Sequence, residues 1–105
     1  MFAFLPAIDA IFADHNMGED AIWRTGGVGA GVAVRVIRKS PDKIVGFGDS
    51  RAVMASALID VRSTEMALPA AGDTVEIGGS LFDIIAEPTA DTLQLVWTCE
   101  ASVRP

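Results

Sequence analysis

The sequence contains little of what disulfide-bonded folds and most metal centres need. It has one cysteine and one histidine among 105 residues. A single cysteine excludes an intramolecular disulfide and a multi-cysteine zinc site, and a single histidine excludes a multi-histidine metal site. No apolar stretch reaches the roughly 18 residues of a membrane-spanning helix, and no basic segment precedes the apolar residues 2–5 as in a signal peptide. We therefore predict no metal, no cofactor and no membrane partner, and an intracellular compartment that keeps Cys99 reduced.

Basic residues are also scarce. Eight lysines and arginines stand against 14 acidic residues, which gives a net charge of −6. This balance argues against a dedicated nucleic-acid-binding protein, which normally has a basic face. The charge is uneven, with −3 over residues 1–34, +2 over 35–65 and −5 over 66–105. The basic middle third is either ordinary solvated charge or a mildly positive docking patch for an acidic partner.

The chain is long enough for one domain, and its periodicity predicts a helix followed by strands. Apolar residues at helical spacing, beginning at Phe4 and ending at Phe12, predict a helix over about 4–15. From residue 19 the period changes to two, with alternation over 32–37, 53–62 and 93–98. Residues 74–77 and 81–86 flank Gly78-Gly79, which predicts a β-hairpin with a primed turn.

These elements predict a mainly β fold, a small antiparallel β-barrel or sandwich with an N-terminal α-helix and long flexible loops. Residues 1–105 form a single domain in this interpretation, with the barrel over about 19–99 and a loose C-terminal end at 100–105. The long loops are expected at 25–31 and 39–52. The glycines of 25–31 resemble a phosphate-binding loop only superficially, because Val32 and Ala33 stand where that loop requires Lys and Ser or Thr.

No residue pattern predicts catalysis. Asp14-His15 has no accompanying nucleophile, and Cys99 has neither a base nor a second thiol near it in the sequence, so we interpret Cys99 as a structural thiol. Trp23 and Trp97 are expected to be core or interface anchors. We expect one acidic outer face on the hairpin, formed by Asp73, Glu76, Asp83, Glu87 and Asp91.

Three stretches resemble the head–tail joining (attachment, or head-completion) proteins of tailed bacteriophages, of the lambda-like type. They are GVAVRVI at 31–37 followed by Pro41-Asp42, LIDVRSTEM at 58–66, and the hairpin AGDTVEIGGSLFDI at 71–84. Together with the N-terminal helix and the closing strand, the resemblance covers roughly residues 4–98.

The resemblance implies a structural virion protein of the head–tail connector and no enzymatic activity. Proteins of this kind assemble as a ring, usually six-fold, on the portal or connector of the filled head, where they close the DNA exit and provide the tail attachment surface. The implied partners are other copies of the chain, a head connector or portal-associated protein, and a tail terminator or tail tube protein, with DNA passing but not bound sequence-specifically. The implied location is the head–tail interface of the virion, after assembly in the host cytoplasm.

Two groups of residues are candidate interface positions under this interpretation. The charged residues of the long loop would touch a neighbouring ring or tail component, and apolar residues at the N-terminus would anchor that segment on a partner. The candidates are Lys39, Asp42, Lys43, Asp49 and Arg51 on the loop, and Phe2, Phe4 and Leu5 at the N-terminus. The alternatives are an exposed loop without a partner and a helix that packs on its own barrel.

Two other function classes stay open at this point. One is a small β-barrel ligand- or protein-binding module unrelated to phage, which would hold a ligand in the barrel mouth. The other is a small enzyme or enzyme subunit, which would bring Asp60, Asp83 and His15 together in one pocket.

Overall fold

The computed structural model of the chain describes residues 4–39 and 57–104. Within these residues one helix precedes seven strands. The elements are α1 (Phe4–Ala13), β1 (Glu19–Arg24), β2 (Val32–Lys39), β3 (Ala57–Arg62), β4 (Thr74–Ile77), β5 (Ser80–Ile84), β6 (Thr89–Ala90) and β7 (Val96–Val103).

The strands form one closed antiparallel barrel. Their order is β3-β2-β1-β4-β5-β7, and a further pairing between β3 and β7 joins the two ends of the sheet. The two-residue strand β6 pairs with β7 beside β5, as an addition to the six-stranded barrel. This architecture confirms the predicted mainly β fold with an N-terminal helix.

Side chains that alternate inward along the strands occupy the barrel interior. In β3 the residues Ala57, Ile59 and Val61 are buried, and the residues between them are half-buried. Trp23 of β1 is the largest fully buried side chain among the described residues. A single hydrophobic cluster joins the inward residues of six strands, so the interior is a packed core.

The hairpin between β4 and β5 has the predicted primed turn. Ile77 pairs with Ser80, and the two residues between them, Gly78 and Gly79, have φ values of 56° and 87°. A type I′ turn needs positive φ at both central positions, which glycine adopts without steric cost. The Gly-Gly pair therefore fixes the register of this hairpin.

Polar contacts and one buried aromatic ring hold α1 to the outside of β2 and β3. Phe12 is buried, its carbonyl accepts a hydrogen bond from Arg35 Nε at 2.7 Å, and the Arg62 guanidinium lies 5.2 Å from its ring centroid. Arg62 also donates to Asp9 Oδ1 at 3.0 Å and to Glu65 Oε1 at 2.8 Å. Burial acts to lower the pKa of Arg62, but the hydrogen bonds to Glu65 and Asp9 outweigh it and raise that pKa above its ordinary value. The described helix is too short to span a membrane.

Two predicted boundaries near the C-terminus were wrong. The last strand covers Val96–Val103, so residues 100–103 pair within the barrel and are not a loose end. Residues 93–95 are not extended, because Asp91 Oδ1 accepts hydrogen bonds from the backbone N–H groups of Leu95 and Val96 and thereby closes a turn. Gln94 has a φ of 58° in this turn. The alternation of Leu93 and Leu95 indicates a strand. Hydrophobic periodicity carries no information about a side-chain cap such as that of Asp91, so the prediction was wrong here.

Two other boundaries differ in part. The helix ends at Ala13 and not at residue 15, because Asp14 starts a turn in which its carbonyl accepts hydrogen bonds from Met17 and Gly18. Of the strand predicted over 53–62, residues 57–62 form β3, and residues 53–56 lie outside the described part of the chain.

A pair of glycine substitutions tests how the β1–β2 connection is built. Gly29 and Gly31 both have positive φ, at 87° and 82°, but an added Cβ meets nothing within 4 Å at Gly29 and lies 2.6 Å from Ile22 Cγ2 at Gly31. We expect Gly29→Ala to lower the free energy of unfolding by roughly 1 kcal/mol through backbone strain alone. Gly31→Ala adds a clash that costs roughly 2 kcal/mol more. Chemical denaturation of both variants measures the difference, and equal stabilities would contradict this packing.

Candidate docking surface

Three connections emerge at the same end of the barrel because neighbouring strands are antiparallel. They are residues 25–31 between β1 and β2, 63–73 between β3 and β4, and 85–95 between β5 and β7. We call these three segments the rim. The opposite end carries the β4–β5 hairpin turn and the last residues of β2 and β7.

A buried carboxylate, Asp73, ties two rim segments to the barrel. Its Oδ2 accepts hydrogen bonds from Trp23 Nε1 at 2.9 Å and from the Ala70 backbone N–H at 3.0 Å. Its Oδ1 accepts from the Gly26 backbone N–H at 2.9 Å. The residue is only 2% exposed, so these three donors replace water around a charged group. Asp73 therefore positions the β1–β2 and β3–β4 connections relative to each other.

Backbone and hydroxyl groups attach the third rim segment to the second. Ser63 Oγ donates to the Gln94 carbonyl and the Ser63 N–H donates to the Leu95 carbonyl, both at 2.9 Å. The N–H of Gly72 donates to the Ile84 carbonyl, also at 2.9 Å. The rim is thus a hydrogen-bonded unit. Residues 25–31, the first of the two predicted loops, begin with a 3₁₀ turn at Thr25–Gly27.

Each rim segment carries one large apolar side chain that is exposed to solvent. Val28 is 73% exposed, Leu68 is 81% exposed and Leu93 is 38% exposed. No lysine or arginine occurs in residues 25–31, 63–73 or 85–95. Contiguous exposed apolar patches are typical of surfaces that contact another protein, and these three side chains are candidates for such a patch.

Intramolecular ion pairs neutralise every basic side chain in the part of the chain that the structure describes. The pairs are Arg24–Glu76, Arg35–Asp20, Arg38–Glu19, Lys39–Asp60, Arg62 with Asp9 and Glu65, and Arg104–Asp83. Within residues 35–39 and 57–62 the basic middle third therefore offers no unpaired charge to an acidic partner. The remaining two bases, Lys43 and Arg51, lie outside the described residues.

The acidic face expected on the hairpin was partly wrong. Asp73 is buried in the hydrogen-bonded site beneath the rim. Glu76 and Asp83 are half-buried and pair with bases, whereas Glu87 and Asp91 are exposed on the rim. The sequence did not reveal the role of Asp73. The alternating pattern puts this residue just before β4, and it carries no information about the hydrogen bond from the distant Trp23 indole N–H.

The candidate interface residues fall into three positions. Lys39 is the last residue of β2 and not a loop residue, and its Nζ lies 2.9 Å from Asp60 Oδ2. Lys39 belongs to the sheet because β2 continues three residues beyond Val36 and Lys39 stands opposite Leu58 of β3. Phe4 and Leu5 form the start of α1. The other candidates lie outside the described residues and their roles stay predictions: Phe2, Asp42, Lys43, Asp49 and Arg51.

The structure does not bring together Asp60, Asp83 and His15, which the enzyme interpretation would place in one pocket. Asp60 and Asp83 lie on β3 and β5, with β7 between them. Asp60 bonds to Lys39 and Thr98, Asp83 bonds to Arg104, and His15 is exposed in the turn after α1. In the described ranges 4–39 and 57–104, no three His, Cys, Asp or Glu side chains come together as metal ligands.

Cys99 lies on β7 in the barrel core and is fully buried. Burial raises the pKa of its thiol to about 12, and the nearby charges of Asp60 and Asp73 act in the same direction. The protonated thiol packs as a small apolar group, which agrees with the structural role expected from the sequence.

The chain is a closed six-stranded barrel with a peripheral helix, a packed interior and exposed apolar side chains in its rim. The family model of the phage head-tail attachment protein matches residues 1–101, and the chain belongs to this family. The match confirms the resemblance found in the sequence and makes the chain a phage structural protein of the head–tail connection. The searches of curated proteins and of solved structures returned no match.

Removal of the Asp73 carboxylate tests whether it holds the rim. Asp73→Ala leaves the Trp23 indole N–H and two backbone N–H groups without their acceptor, so we expect a loss of about 3 kcal/mol in the free energy of unfolding. Urea unfolding followed by tryptophan fluorescence measures this change in the free energy of unfolding. Asp20→Ala is the control, since it removes an exposed carboxylate of a surface ion pair and should change stability little. Equal effects of the two substitutions would contradict the role of Asp73.

The burial of Cys99 predicts slow thiol chemistry and a loss of stability at alkaline pH. The folded protein should react with a disulfide reagent at pH 8 only as fast as it opens, whereas the unfolded chain reacts at once. Because the unfolded thiol ionises near its ordinary pKa of ~8.5 and the folded thiol near 12, the free energy of unfolding should fall as pH rises between these values, by at most about 1.4 kcal/mol per pH unit. Cys99→Ala should lack this component, and a native thiol that reacts immediately would contradict the burial.

Proposed function

We propose that this protein assembles as a ring, of six copies, on the portal or connector of the DNA-filled head. The ring closes the DNA exit and provides the surface to which the tail attaches. Its partners are other copies of the chain, a portal-associated head protein, and a tail terminator or tail tube protein. The family match over residues 1–101 is the observation that carries this proposal.

The closed barrel limits how copies can join. Each of the six barrel strands already has a strand neighbour on both sides, so these strands leave little free edge for β-strand addition. Contacts between copies must then use loops, α1 and the outward side chains. A ring is a head-to-tail assembly that needs two different complementary patches on each subunit, and a barrel with two unlike ends and a helix on one side has distinct surfaces for this.

The charge distribution supports passage of DNA without binding. Attraction to phosphates requires free lysine or arginine, and the described bases are all engaged with acids of the same chain. The net charge of −6 adds a repulsive background. DNA would therefore slide past such a ring without adhering to it.

The interface residues predicted from the sequence belong to this proposal. The N-terminal group would anchor on a neighbouring protein, and the charged group between β2 and β3 would contact the adjacent ring or the tail. They are Phe2, Phe4, Leu5, Lys39, Asp42, Lys43, Asp49 and Arg51. Before incorporation into the virion, the subunit would reside in the host cytoplasm.

Light scattering across a concentration series tests the ring. The purified protein should be a monomer or associate weakly by itself, and a fixed multiple should bind when DNA-filled heads that carry the connector but lack this protein are added. Heads that already carry tails are the control, because their attachment surface is occupied. A stable monomer or dimer that ignores the unoccupied heads would contradict the proposal.

A further inference from the structure

We infer that the rim is the docking surface for a different protein of the head–tail junction, whose contact surface is apolar and bordered by basic side chains. The inference rests on the proposed function, because it takes the partner from the head–tail junction. It adds which end of the barrel makes this contact and what chemistry the partner presents.

The hydrogen bonds of the rim preorganise it for binding. Asp73 joins the first segment to the second, and Ser63 joins the second to the third. Within the first segment Arg24 Nε donates to the Gly29 carbonyl at 3.2 Å, which holds the chain on both sides of Val28. A surface whose loops are already fixed loses less conformational entropy when a partner binds.

The exposed apolar side chains come from all three rim segments. Single exposed leucines or valines are ordinary on a protein surface. Here Val28, Leu68 and Leu93 each lie on a different segment, and the hydrogen bonds described above connect those segments at one barrel end. Their burial against a partner would supply the non-directional part of the binding energy.

The charge at the rim selects a partner with basic residues at its border. The rim carries exposed Glu87 and Asp91 and no base. The bases that flank it in sequence, Arg24 and Arg62, are paired with carboxylates of this chain. A basic border on the partner would complement this surface and orient the encounter.

The same charges disfavour two other occupants. A second copy docked rim to rim would bring like carboxylates together. Among the described residues, a second copy docked by its opposite end would present Arg38, Lys39 and Arg104, which are already ion-paired. Nucleic acid would find no cation on the rim for its phosphates. A different protein is the occupant that the charges favour.

In vitro joining of heads and tails tests the inference. Purified protein is added to DNA-filled heads that lack it and to free tails, and the joined particles are counted by electron microscopy. Val28→Asp and Leu68→Asp place a charge on exposed side chains, so the variants should fold with an unchanged melting temperature. We expect each to lower the yield of joined particles at limiting protein by about tenfold or more.

Met17→Asp is the matched control. Met17 is 51% exposed and lies on the turn that leads into β1 at the opposite barrel end. This variant should join heads and tails as the wild type does. If the wild-type protein itself does not restore joining, the proposed function is wrong; if it does and both folded rim variants also do, the inference alone is overturned.

Charge substitution at Glu87 and an assay of self-association separate the possible occupants. Glu87→Lys should lower the yield of joined particles more than Glu87→Gln does, because the first repels a basic border and the second only loses attraction. Equal yields for both variants and the wild type would overturn the basic border. Loss of the weak self-association of the purified protein in light scattering, caused by Leu68→Asp, would show instead that a second copy occupies the rim. Loss of wild-type joining after nuclease treatment of the exposed DNA would show that nucleic acid does.

Discussion

The rim of the barrel depends on one interaction, the hydrogen bonds accepted by the buried carboxylate of Asp73. A charged group in the protein interior needs donors, and the indole N–H of the buried Trp23 needs an acceptor. Each satisfies the other, and the backbone N–H groups of Gly26 and Ala70 complete the arrangement. One side chain thereby links the core, the glycine-rich connection and the segment before β4. Within the Gly-Asp-Thr sequence at 72–74, the aspartate is therefore explained by the hydrogen bonds that its carboxylate accepts.

Within residues 4–39 and 57–104, the edges of the barrel strands and the basic side chains are already engaged inside the chain. The barrel strands pair with one another around the full circumference, and ion pairs on the outer faces of the strands engage the described bases. The helix covers part of β2 and β3 through Phe12, Arg35 and Arg62. The contacts proposed with neighbouring proteins therefore involve the loops and the helix.

The sequence predicted those elements whose conformation depends on residues close together in the chain. The Gly78-Gly79 turn, the alternation in Ala57–Arg62 and the helix α1 all appear where the sequence placed them. Contacts between distant residues were not predictable: Asp73 with Trp23, and the pairing of 100–103 with neighbouring strands. The side-chain cap of Asp91 ended the predicted strand for a reason that periodicity cannot register. The candidate site changed accordingly, because Lys39 proved to belong to a strand and the rim emerged only from the closed topology.

The most direct test of this account is the position of the protein in the virion. A cryo-electron microscopy map of the intact particle, compared with a map of particles lacking the protein, would locate it. The account predicts additional density that fits the six-stranded barrel between the head connector and the tail, as a ring around the DNA path. Complete tailed particles formed without the protein, or its density elsewhere in the virion, would contradict it.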